Sequence, residues 1–177
     1  MKNKLKLGET YFFAGARCIP VDFNEENDTV IIQFFGVSHG AWPGYVMPQY
    51  GNGAFYNKDI KFDISQYDKS VSILYNKIKN SDLIGMLCMP TVKVTNNPIW
   101  KEALVNAAGY CESFGSPIGK VWLGDVKGND CACCISSDGD VNSSYGQDND
   151  FVIAPYLVLD LTCIKVDQNR FWLFNKV

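Results

Sequence analysis

The chain has 177 residues, of which 47% are hydrophobic, 14% aromatic and 20% charged, with 16 basic and 19 acidic side chains and a formal net charge of -3. A core of that size buries about 70% of the surface its unfolded chain exposes, so the composition excludes a disordered chain and a disulfide-dependent miniprotein and fits one globular domain over residues 1–177. The acidic balance excludes a surface built to neutralise nucleic-acid phosphates, since only Lys2, Lys4 and Lys6 make a locally positive stretch.

In chain order, residues 10–13, 18–23 and 29–35 read as extended segments rich in β-branched and aromatic residues, with a polar turn at 24–28. They predict an antiparallel meander. Residues 36–53, GVSHGAWPGYVMPQYGNG, are dense in Gly and Pro with aromatics between, which predicts an ordered irregular loop whose rings pack on the core. A first helix is predicted over 66–79, because Val71, Leu74, Tyr75 and Ile78 fall at i, i+3, i+4 and i+7, with Ser65 as N-cap. Residues 85–89 suit either a buried strand or a packed connection. The second helix has the stronger signal: Asn97 can cap, Pro98 suits the first helical position, and Trp100, Ala103, Leu104, Ala107, Ala108 and Cys111 form one apolar stripe that Gly115 ends.

Strand patterns return after Gly119, at 120–123, 131–136, 151–153, 156–162 and 170–174. Strands, two helices, then strands again, without alternating βαβ units, predict an α+β domain with antiparallel pairing and no nucleotide-binding parallel sheet. The longest apolar runs, 30–37 and 83–90, fall short of the about 18 to 20 residues of a membrane span, so no membrane is expected. The opening MKNKLKLGETYFF lacks the apolar core of a secretory signal. Seven cysteines, an odd set, fit a reducing compartment, so the sequence predicts folding in the cytosol.

Four features invite chemistry. His39 is the single histidine, so a cysteine-nucleophile site must pair it with one of seven cysteines that no local motif selects. The run Cys131-Ala132-Cys133-Cys134 is a poor zinc site, since such sites space paired cysteines by two to four residues and one histidine cannot supply the remaining ligands. On a strand, Cys131 and Cys133 stand roughly 6.6 Å apart, near the outer limit for a disulfide, and they read as small buried hydrophobes. Asp138, Asp140, Asn142 and Ser144 match the first ligand positions of a calcium loop, yet the required Gly is Ser143 and the terminal Glu is Asn149, so Ser137 to Asp140 reads as a hairpin turn between two strands. Trp42, Tyr45, Tyr50, Phe55 and Tyr56 could stack on a sugar, whereas nucleic acid is disfavoured by the lack of basic residues among them.

The stretch GKVWLGDVKGNDCACCISSDGDVNSSYGQDNDFVIAPYLVLDLT resembles an uncharacterised family of bacterial and phage proteins. Its members carry a Trp-Leu-Arg-Ser-Pro strand, an alanine-rich strand ending in a Ser-Asp-Gly turn, and a Val-Arg-Pro-Ala-Leu strand. The opening LKLGETYFFAGARCIPVDF is also similar to that family's first hairpin. This chain has Gly124 and Ala154 where the family shows arginines, so the role of those arginines does not carry over. The resemblance implies a C-type-lectin-like fold, an α+β domain of antiparallel strands and hairpins with two helices, akin to sulfatase-modifying enzymes and to phage and bacterial adhesin tips. Calcium-dependent sugar binding is not implied, because Trp122 is followed by Leu123.

A fold of that type without an export signal implies a non-enzymatic structural or accessory protein of a phage virion. It would decorate capsid or tail, fold in the host cytoplasm and be released by lysis. The expected partners are other phage structural proteins in a homo-oligomer or symmetric assembly, and a host-surface glycan or protein; no cofactor, metal, nucleic acid or membrane is expected. The expected binding surface comprises Trp42, Tyr45, Tyr50 and Tyr56 of the aromatic loop and Asp138, Asp140 and Asp148 of the acidic hairpins. The competing expectations are a cysteine-dependent enzyme related to the sulfatase modifiers and an intracellular bacterial binding module.

Overall fold

Alternation of apolar side chains builds the first sheet. The computed structural model describes residues 5–13, 16–35, 38–39, 45–46, 55–56, 87–112, 119–127, 131–145, 151–168 and 170–173. Strands β1 (Tyr11–Phe13), β2 (Ala16–Asn24) and β3 (Thr29–Phe34) form the expected antiparallel meander. The turn between β2 and β3 is held by Asn24 Oδ1, which accepts from the amides of Glu26 and Asn27, and Asp28 takes the left-handed conformation that Asp tolerates.

Three two-residue strands follow: β4 (Ser38–His39), β5 (Tyr45–Val46) and β6 (Phe55–Tyr56). After a 3-10 helix at Val92–Asn96 comes α1 (Pro98–Glu112). Asn97 Oδ1 accepts from the amides of Ile99 and Trp100, which makes it the N-cap, with Pro98 at the first helical position as the sequence predicts. The remaining strands are β7 (Lys120–Val126), β8 (Cys131–Ser136), β9 (Val141–Tyr145), β10 (Val152–Ile153), β11 (Tyr156–Asp160), β12 (Ile164–Asp167) and β13 (Arg170–Leu173).

These strands make a six-stranded sheet in the order β11-β3-β2-β1-β13-β12, a five-stranded sheet in the order β4-β10-β7-β8-β9, and the separate pair β5-β6. Between the two large sheets lies a core of Val30, Ile32 and Phe34 from β3, Trp122 from β7, Ala132 and Cys134 from β8, and Ile153 and Leu157. Trp122 is fully buried, with its ring 4.2 Å from that of Phe151. A second core forms where α1 meets the opposite-facing residues of both sheets: Trp100, Ala103, Leu104, Ala107 and Ala108 pack with Ile19 and Val21 of β2, Val121 and Leu123 of β7, and Ile135 of β8. The three alanines are fully or almost fully buried, and their small size brings the helix axis close to the strands.

The chain passes from one sheet to the other through only Ala154 and Pro155, between β10 and β11. This corner is tied by Gln33, a buried side chain on β3. Its Nε2 donates to the carbonyls of Phe34, Ala154 and Pro155, and its Oε1 accepts from Trp100 Nε1 of α1 at 2.8 Å. One amide thereby joins both sheets and the helix.

The expected α+β, C-type-lectin-like architecture with two helices is not what the chain adopts. The structure is mostly β, with a single α-helix among the described residues and two large sheets of mixed direction. The helix predicted over 66–79 lies outside the described residues. Two parallel pairings, β1 with β13 and β10 with β7, replace the purely antiparallel arrangement. The strand content exceeds the sequence reading because β9 (VNSSY) and β12 (IKVD) are short and polar, so neither shows an apolar alternation long enough to register. The β1–β13 pairing joins the two ends of the described chain, which no local pattern encodes.

Candidate functional site

The predicted surface residues fall into separate places. Tyr45 and Tyr56 lie directly opposite one another in the register of β5 and β6, while Trp42, Tyr50 and Asp148 lie outside the described residues. Asp138 and Asp140 share the turn between β8 and β9, in the five-stranded sheet and not in the β5-β6 pair. The structure therefore brings Tyr45 to Tyr56 and Asp138 to Asp140, and puts the two groups on different sheets.

The acidic turn is explained by its own geometry. Ser136 N donates to the Asp140 carbonyl and Gly139 N to the Ser136 carbonyl, both at 3.0 Å, and Gly139 has φ +87°. This is a three-residue hairpin loop closed by a left-handed glycine, the arrangement that the Asp-Gly signal predicts. The Ser136 hydroxyl donates to the Asp138 carboxylate and lies 3.1 Å from the Asp140 carbonyl. That hydrogen bond, with help from the Asp140 amide, holds the Asp138 carboxyl below the usual aspartate range. Asp138 is thus a turn residue. Among the described residues no group of three or more His, Cys, Asp or Glu side chains could hold a metal.

Other polar side chains are committed in the same way. The Asp125 carboxylate accepts from Val92 N at the start of the 3-10 helix, and Asp160 Oδ1 accepts from Thr162 N at 2.7 Å. No buried side-chain nitrogen or oxygen among the described residues lacks a partner. Cys18, Cys88, Cys131, Cys133, Cys134 and Cys163 are all free thiols. Burial pushes the Cys18 thiol far up, against the opposing pull of a backbone hydrogen bond. Burial also raises Cys133, and the nearby Asp125 charge adds to it, so both stay neutral thiols and poor nucleophiles at neutral pH. The tight pair Cys131 and Cys133 is not bridged.

Gly124 and Ala154, which the resemblance would set against arginines, both lie against other parts of the chain. A side chain at Gly124 meets Met89 Cβ at 3.3 Å, with main-chain oxygens of Met89 and Pro90 at 3.6 and 3.7 Å, and Gly124 N donates to Pro90 O. Ala154 is fully buried at the sheet corner.

One surface escaped the sequence reading. β9 is the outermost strand of the five-stranded sheet, and among the described residues no strand pairs with its outer side. Because Ser136 and Asp140 form a hydrogen-bonded pair, Asn142 and Ser144 turn their backbone groups toward β8 while Val141, Ser143 and Tyr145 turn theirs outward. Val141 is 40% and Tyr145 57% exposed. One of the two outer edges of the six-stranded sheet differs: β11 is met at Tyr156 by Cys88, with Cys88 N donating to Tyr156 O and Tyr156 N to Cys88 O. The Ser-Asp-Gly turn was the one signal that a return strand must follow it.

Comparison of the chain with protein-family models, with curated proteins and with solved structures finds no match.

Proposed function

We propose that the chain is a non-enzymatic structural or accessory protein of a phage particle, acting by contact with other proteins. The observation that carries this reading is a division of labour among its polar groups. Side chains that could do chemistry hold turns, helix starts and the sheet corner, while an uncharged strand edge faces outward with its hydrogen-bonding groups unspent within the described fold. An enzyme of this size gathers titratable groups in one cleft with perturbed protonation. Here, among the described residues, the perturbed groups lie in separate places: Lys6, Tyr11 and Cys18 at and just before β1 and β2, Tyr156 on β11, Cys133 on the other sheet and Asp138 in a turn. Free thiols agree with folding in a reducing host cytoplasm, from which lysis releases the particle.

On this reading the partners are other phage structural proteins in a symmetric assembly, and the segment carrying Tyr45 and Tyr56 serves a host-surface glycan or protein. The test is to purify particles from a lysate on a density gradient and to quantify this chain against the major shell protein by mass spectrometry. A fixed ratio is expected, high for capsid or tail-tube decoration and low for a tail tip. Absence from the particles overturns the reading and favours an intracellular role.

A further inference from the structure

We infer that β9 pairs antiparallel with β9 of a second copy of this chain, about a two-fold axis at Ser143. Val141, Ser143 and Tyr145 present outward-facing N–H and C=O groups. A two-fold axis at Ser143 sets Ser143 against its own copy and Val141 against Tyr145 of the partner subunit. Each of these pairs exchanges both hydrogen bonds, since every outward-facing residue then meets another outward-facing one. A register shifted by one residue breaks this match.

The side chains agree with the backbone. Val141 and Tyr145 share one face of β9, being four residues apart, and both are exposed. Antiparallel self-pairing brings the β-branched residue opposite the aromatic one, a favourable cross-strand combination, and puts the small Ser143 at the centre. On the other face Asn142 meets Ser144, two hydrogen-bonding side chains.

Charge selects a second copy as the occupant. The strand VNSSY is uncharged, so self-pairing opposes no like charges. Among the described residues the two copies of Asp140 flank the paired segments and stand roughly 20 Å apart along them, beyond the screening length of about 8 Å. Strand edges that must stay single are commonly guarded by Lys, Pro or a bulge, among other devices. β9 has none of these, and its register with β8 is unbroken. A bare strand pair buries less than the ~1,200 Å² of a standard interface, so each contact is weak and gains strength when copies are held together in an assembly.

The inference rests on reading β9 as a contact surface, and its test uses the purified full-length chain in solution, apart from any particle. Sedimentation from about 10 µM to about 1 mM spans the range in which a contact of this size associates. The wild type is expected to shift from monomer to dimer. Over the same range the amides of Val141, Ser143 and Tyr145 are expected to gain protection from hydrogen exchange, while Asn142 and Ser144 are protected throughout. Ser143→Lys and Ser143→Glu each oppose like charges at the axis and are expected to weaken the dimer at least ~10-fold, and an equimolar mixture of the two restores it. Tyr145→Ser, which leaves the backbone untouched, weakens it less and serves if a charged variant fails to fold. A monomeric wild type, protection of the three amides at the lowest concentration, or a mixture no better than its components overturns the inference. The particle stoichiometry decides the virion reading separately.

Discussion

The chain turns sharply at two places whose solutions are opposite. At Ala154 and Pro155 it switches sheets inside the core, and the freed carbonyls are satisfied by Gln33, which lies 121 and 122 residues away in sequence. At Ser136 to Asp140 it turns at the surface, and the bonds that close the loop come from within five residues, with one long-range bond from the Ser137 amide to the Gly119 carbonyl. The corner makes the fold depend on long-range fit, with one side chain serving two sheets and a helix. The hairpin loop is closed mostly by its own residues, so the outer edge of β9 can be contacted with little demand on the distant core.

The largest test of that contrast is Trp122→Ala. It empties the core beneath the corner, where Trp122 packs on Phe151, and an expected loss of about 3–5 kcal/mol is read as a lower midpoint in urea denaturation. A loss under about 1 kcal/mol would mean that the sheets are not joined through this core. Next comes Gln33→Leu, which leaves the Trp100 indole N–H and the Ala154 carbonyl buried without their partner. It is expected to cost at least ~2 kcal/mol, and Trp100→Phe combined with it should cost less than the sum of the two single changes.

At the hairpin the effects are smaller. Gly139→Ala forces a side chain into the left-handed region and is expected to cost about 1 kcal/mol, with no change in the dispersion of corner resonances in NMR spectra. The smallest effect is pH-dependent. The Asp138 carboxyl is held below its ordinary range in the folded chain, so the charged form favours folding. Its contribution is present above about pH 4 and fades as pH falls through the lower folded value. The melting-temperature gap between wild type and Asp138→Ala should therefore narrow on acidification from pH 6 toward pH 2; a gap that widens sinks the assignment of Asp138 to the turn.

Legibility followed the range of the interactions. The helix from Pro98 was readable because its cap and stripe are all within fifteen residues, and β8 because its Asp-Gly turn follows a run of small and apolar residues from Cys131. β9 was legible only as the consequence of its turn. The turn carrying Asp138 and Asp140 was legible from its Asp-Gly, whereas the bond from the Ser136 hydroxyl to Asp138 was not, since it depends on the turn's three-dimensional form.

By itself the sequence determined the strands with apolar alternation, the capped helix, the Asp-Gly turn and a chemistry without a catalytic motif, because each of these is encoded by neighbours a few residues apart. The tertiary structure alone decided that the protein is mostly β, that β1 pairs in parallel with β13, that Gln33 ties the corner, and that Ala154 is buried there. Those outcomes depend on which distant segments meet, and the free energy that selects them comes from burying apolar surface and pairing backbone groups across the whole chain.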